Sequence, residues 1–123
     1  MNNLTDGSVK KIVLQTIEIL ESKKAVDIKI MKIDRLTSLA DYFIICNGTS
    51  TTQIKTLADE VEIKLKNENF QIFHREGYNS GNWILLDYGF MIVHIFHKEM
   101  REFYNLEKLW ADGELTDIDE LRK

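Results

Sequence analysis

The chain has 123 residues, 44% hydrophobic and 29% charged, enough for one domain with a buried core and too few for two. Sixteen basic against twenty acidic residues give a formal net charge of -4, which argues against a mainly electrostatic grip on nucleic acid, because phosphate binding needs clustered Lys and Arg. No window approaches the roughly 18 apolar residues of a membrane span, and Met1-Asn2-Asn3-Leu4-Thr5 has neither the basic nor the apolar region of a secretion signal, so a cytoplasmic protein is expected.

Val9, Ile12, Val13, Ile17 and Leu20 recur at helical spacing and predict an amphipathic helix from Ser8 to about Lys23, with Ser8 or Asp6 near its N-cap. Val26, Ile28 and Ile30 alternate with Asp27, Lys29 and Met31, which predicts a strand with one apolar side. Asp34 to Leu39 reads as a loop or single turn. Tyr42 to Cys46 is apolar throughout, the pattern of a central strand. Its Cys46, the one cysteine, has no disulfide partner and reads as a small core residue in a reducing compartment.

Asn47-Gly48-Thr49-Ser50 ends that strand and opens a second helix, in which Ile54, Leu57, Ala58, Val61 and Leu65 form one face. Ser50 and Gln53 have the spacing of a capping box, the Ser50 hydroxyl accepting from the Gln53 N–H while the Gln53 amide reaches back. A short strand is expected near Phe70 to Arg75, then a turn through Asn79-Ser80-Gly81-Asn82 and a strand Trp83 to Asp87. A tight Tyr88-Gly89 reversal leads into Phe90 to His97, and a last helix begins near Lys98, with Phe103 and Leu106 as its core residues.

These elements imply an α/β fold with a mixed five-stranded sheet and flanking helices, since the later strands are joined too tightly to be parallel. The whole of 1–123 is one domain, with a core of about 8–110 and an acidic tail 111–123. In that tail Asp112, Glu114, Asp117, Asp119 and Glu120 outweigh Arg122 and Lys123.

Nucleotidyl transfer needs carboxylates projecting together around two metal ions, and no predicted strand carries an acid pair two residues apart. Gly48-Thr49-Ser50 at a helix start could hold an anion or touch a partner, yet it lacks the lysine of a phosphate loop, and capping already accounts for Ser50. His94 and His97, three apart on a strand, face opposite sides and cannot share one ion, so no metal site is expected. His94 shares a face with Ile92 and Phe96, as a core or edge histidine bonded to a neighbour would. For His97 a partner contact and a structural hydrogen bond stay equally open. Trp83, Leu85 and Asp87 project from one face of their strand and Ile84, Leu86 and Tyr88 from the other. The second set reads as core, while Trp83 and Asp87 aimed at one surface have the composition of an interface hot spot, the alternative for Trp83 being a satisfied, half-buried structural residue. Tyr104, Leu109 and Trp110 exceed the needs of a terminal helix, so they either fold back on the sheet or bury a two-fold dimer contact.

Asp41-Tyr42-Phe43, Gly48-Thr49-Ser50, Trp83-Ile84-Leu85-Leu86-Asp87-Tyr88-Gly89, Val93-His94-Ile95-Phe96 and Arg101-Glu102-Phe103-Tyr104-Asn105-Leu106-Glu107-Lys108-Leu109-Trp110 follow one another without a large insertion. In these segments, from Val9 to Trp110, the chain resembles the ribosomal silencing factor family, also called Iojap-like. The resemblance implies a nucleotidyltransferase-like fold without catalysis or cofactor, docking on the large ribosomal subunit through its ribosomal protein fourteen. It further implies a steric block of small-subunit joining that represses translation in starvation or stationary phase. On this reading nucleic acid is not the main contact, there is no membrane association, and the free protein is a homodimer. Trp83, Asp87, Tyr88, His97, Glu99, Arg101 and Tyr104 are the expected partner residues, although strand alternation turns Tyr88 inward. Leu109 and Trp110 are candidate dimer contacts, and Gly48, Thr49 and Ser50 a further anion or partner contact. The alternatives are a nucleotide-binding or nucleotidyltransferase-like enzyme with a retained pocket, and a scaffold module recruiting a different protein.

Overall fold

Two amphipathic helices cover one face of a mixed sheet in the computed structural model, which describes residues 6–34, 36, 38, 40–109 and 114–116. The elements run α1 (Asp6–Ser22), β1 (Val26–Lys32), β2 (Tyr42–Gly48), α2 (Thr51–Asn67), β3 (His74–Glu76), β4 (Trp83–Asp87), β5 (Met91–His97), α3 (Lys98–Tyr104), α4 (Leu106–Leu109) and β6 (Glu114–Thr116). The sheet order is β3-β4-β5-β2-β1-β6, with β2 and β5 parallel and every other pair antiparallel. The five strands expected from sequence are all present. A sixth, β6, pairs with Ile30 to Lys32 at the edge, so Glu114–Thr116 belongs to the sheet and not to an acidic tail.

Strand alternation divides the core into two layers. Ile44 and Cys46 on β2, Val93 and Ile95 on β5, and Ile84 and Leu86 on β4 pack with α1 and α2, whose Val13, Ile17, Leu57 and Val61 are fully buried. Phe43, Ile45, Ile92 and Phe96 point the other way and pack with Met31, Ile33 and Leu106. The apolar β2 is therefore central because both its faces are covered. Cys46 is wholly buried there, and loss of water pushes its thiol up to about 12. It is a core residue.

Several local expectations shift. α1 begins at Asp6, two residues before the expected Ser8. A bulge between Val26 and Lys29, with Asp27 at φ 52°, breaks the alternation of β1. Val26, on the far side of the bulge, is exposed, while Ile30 and Met31 alternate regularly into the two layers and are both buried because each layer is covered. The strand expected over Phe70 to Arg75 pairs only from His74 to Glu76. The β4–β5 reversal is centred on Gly89-Phe90, one residue later than expected, and closes with Tyr88 N–H on the Met91 carbonyl at 2.9 Å. Gly89, at φ 87°, occupies the first central position that such two-residue hairpins reserve for glycine. The last helix is two, because Asn105 adopts the left-handed conformation after Tyr104 and restarts the chain as α4.

Candidate functional site

The C-terminal ends of parallel β2 and β5, the start of β4 and the short α3 meet at one end of the sheet. Trp83 sits opposite Phe96 in the β4–β5 register, and the two rings stack at 4.9 Å between centroids and 25°. Tyr104 of α3 approaches the same indole at 4.7 Å, and Phe103 meets Tyr104 edge-on at 5.1 Å. Phe103 was expected in the core and is 78% exposed; Leu106 is buried as expected. The reason is the phase of α3: Arg101 and the partly buried Met100 face the sheet, leaving Glu99, Glu102 and Phe103 toward solvent. Tyr104, 47% exposed, bridges the two environments.

Trp83 and Asp87 share a face of β4 but not a contact. Four residues of strand separate them by about 13 Å, with Leu85 between. Asp87 is half-buried, and one of its carboxylate oxygens accepts the Gly89 N–H at 2.8 Å, holding the hairpin turn. Tyr88 corrects a partner assignment, because it is 2% exposed and packs inward with Ile84 and Leu86. Burial, with Glu62 nearby, raises its phenol above the ordinary range.

Arg101 corrects another. It is 5% exposed, and its guanidinium is surrounded by the chain's own acceptors. Nη1 donates to the Asp27 carbonyl at 2.6 Å and to Asn47 Oδ1 at 3.1 Å, while Nη2 donates to Glu107 at 3.1 Å and lies 3.6 Å from the Asp27 carboxylate. This one cation ties α3 and α4 to the bulge of β1 and the end of β2, and so it fixes the helix that carries Phe103 and Tyr104. Sequence reasoning missed Asp27, Asn47 and Glu107 as its partners. The adjacent hollow, about 420 Å³, is lined by these groups with Lys98, Glu102 and Asn105. It lies where α/β sheets commonly bind ligands, but the guanidinium facing it is already engaged.

His94 lies on the same face as Trp83 and is 4% exposed. Its Nδ1 accepts the Trp83 indole N–H at 3.1 Å, and Phe43 meets its ring edge-on at 4.7 Å. Burial lowers its pKa to about 3, so the ring is neutral near pH 7. His97, half-buried, ends β5 just before α3, and its side chain makes no cap bond to that helix. At the start of α2 the expected capping box forms with one change. Ser50 Oγ accepts the Gln53 N–H at 3.1 Å, but Gln53 Oε1 reaches back past Ser50 to the Thr49 N–H at 2.6 Å. Gly48 is buried, since a Cβ there would lie 2.7 Å from Ile54. Leu109 closes α4, and Trp110 lies outside the described residues. Among the described residues no three His, Cys, Asp or Glu side chains gather as metal ligands.

The class these features define is a small α/β domain that carries an aromatic and acidic surface at one end of a mixed sheet. The profile of the family described as "Ribosomal silencing factor during starvation" matches residues 7–123. The ribosomal silencing factor RsfS of Bacillus subtilis is 39% identical over 99 residues, 80% of this chain and 84% of that protein. A more distant mouse relative, "Mitochondrial assembly of ribosomal large subunit protein 1", is 31% identical over 83% of this chain and 48% of its own length. A crystal structure of a Chromobacterium violaceum protein superposes with a TM-score of 0.82 at 38% identity, covering 84% of this chain and 86% of the other. The chain belongs to the ribosomal silencing factor family.

Proposed function

We propose that this chain docks on the large ribosomal subunit through its ribosomal protein fourteen and, by occupying that surface, keeps the small subunit from joining. Translation is thereby repressed in starvation or stationary phase. The observation that carries the reading is the array of exposed Phe103 and Tyr104 with the half-buried Trp83, flanked by Glu99 and Glu102. Aromatic anchors beside acidic groups suit a basic ribosomal protein, the anchors supplying affinity and the charges steering. Family membership and the large-subunit name of the mouse relative support the same direction. His97 lies at the rim of this contact and Asp87 at its outer edge, about 13 Å along β4 from Trp83; the buried Arg101 supports it from within, whereas Tyr88 packs in the opposite layer.

The proposal includes action in the cytoplasm, no cofactor and no catalysis: the described strands carry no two carboxylates spaced to share metal ions. No helix among the described residues is long and apolar enough to cross a membrane. It also includes a homodimer in isolation, with Leu109 and Trp110 at the contact, which sedimentation equilibrium tests directly. The central test is co-sedimentation with purified subunits, followed by subunit joining read as light scattering. The protein should pellet with large subunits and not with small ones, and should reduce joining. Trp83→Ala should weaken large-subunit binding by about 2 kcal/mol. Undiminished binding by a Trp83→Ala protein that melts like wild type would move the docking surface elsewhere.

A further inference from the structure

Trp83 is held by stacking on Phe96 and by the ring of Tyr104, at centroid distances of 4.9 and 4.7 Å. Stacking fixes the plane of an indole but lets it slide and turn within that plane. The missing constraint is directional, and only the Nε1–H can supply it. That hydrogen points at His94 Nδ1, 3.1 Å away.

His94 is a costly residue for its position. Its neighbours are Phe43, Phe96 and Trp83, and with Nδ1 accepting, its other ring nitrogen carries the proton. That Nε2 is buried and has no hydrogen-bond partner among the described residues. A phenylalanine or leucine would cover the same apolar face without bringing a buried donor of its own. What histidine adds, and they lack, is an acceptor for the indole. Burial keeps the ring neutral far below physiological pH, so this acceptor is present whenever the protein is folded near neutrality.

We propose that His94 is a positioning residue for docking: from within the sheet face it fixes the orientation of Trp83, so that the aromatic surface meets its partner already ordered. The inference rests on the reading of Trp83 as a partner anchor. His94 itself touches no partner. Its contribution is a lower ordering cost on binding, because a side chain fixed in the free protein has less freedom left to lose.

The test is a double-mutant cycle between His94→Phe, which removes the acceptor, and Trp83→Phe, which removes the donor and keeps a ring. Affinity for purified large subunits is measured for all four proteins, and the Trp83 indole N–H is followed by NMR hydrogen exchange in the free proteins, its signal assigned by its loss in Trp83→Phe. His94→Phe should weaken binding roughly tenfold, and the indole N–H should exchange markedly faster. His94→Phe added to Trp83→Phe should weaken binding little further, since the pair acts as one unit. His94→Gln, whose amide oxygen can accept the indole N–H, should recover part of both losses. If phenylalanine does not fit, His94→Leu replaces it. Independent, multiplying effects in the cycle, or full affinity in a folded His94→Phe protein whose indole exchanges fast, would overturn the inference while leaving Trp83 as an anchor. Full affinity in Trp83→Ala would instead overturn the docking surface itself.

Discussion

Acid should weaken this fold through His94 before it does so through most carboxylates. In the native state His94 is buried without a counter-charge among the described residues, and its pKa falls from 6.5 to about 3. The unfolded chain therefore takes up this proton first as pH drops, so the His94 contribution is whole above about pH 6.5 and is lost progressively toward pH 3. The slope over that window is about 1.4 kcal/mol per pH unit, so at pH 5 the loss comes to about 2 kcal/mol. For a domain whose total stability is of the order of 5–15 kcal/mol, that is a large fraction. Urea unfolding at pH 8, 6.5 and 5 measures it, with His94→Phe as the reference that lacks the titrating ring. At pH 8 that variant should lie within about 1 kcal/mol of wild type, because the lost indole bond is offset by removal of the unsatisfied Nε2–H. Between pH 8 and 5 the wild type should lose about 2 kcal/mol more than the variant. Parallel losses would refute the reasoning, since they would mean that His94 protonates equally in the native and unfolded states.

Arg101→Ala should destabilise the protein by about 3 kcal/mol or more in urea unfolding, because it strands the Asp27 carbonyl and Asn47 and frees α3; a change below about 0.5 kcal/mol would show that the guanidinium network carries no structure. Phe103→Ala should leave the melting temperature almost unchanged, as its ring is 78% exposed, and yet weaken large-subunit binding by about 2 kcal/mol; unaltered binding would exclude Phe103 from the contact. Raising salt should slow association with the large subunit, and Glu99→Gln should reproduce part of that slowing, since screening over a Debye length of about 8 Å at 0.15 M acts on rim charges. Stopped-flow rates independent of salt would leave steering without a role.

The helices were legible because each buries one stripe. Ile54, Leu57, Ala58, Val61 and Leu65, chosen by spacing, are all fully buried, and Trp83 to Asp87 alternates as its pattern requires. The reading failed where one residue changes the phase. At Asp27 the bulge puts Val26 out of phase with Ile28 and Ile30 and leaves it exposed, which an alternation pattern cannot express. Residues 114–116 become a strand only because β1 offers a free edge, and their own sequence, Glu-Leu-Thr, is too short for a period.

The same physics limits what sequence shows of the site. Periodicity assigns a residue to a side of its own element, but partner contact depends on what else covers that side. On a continuous helix, Phe103 and Leu106 lie on one stripe; with Asn105 left-handed at φ 45°, the stripe breaks, and Leu106 reaches the core while Phe103 is released to solvent. A charged residue in a short terminal helix is ordinarily a surface residue. Arg101 is buried because acceptors from β1, β2 and α4 converge on it, and no local pattern announces that convergence. Trp83 sits between the two cases. Alternation gives its face correctly, but His94, Phe96 and Tyr104 decide whether that face is packed or presented. They do both, holding the indole from within and leaving it half-buried at the end of the sheet, beside the exposed Phe103.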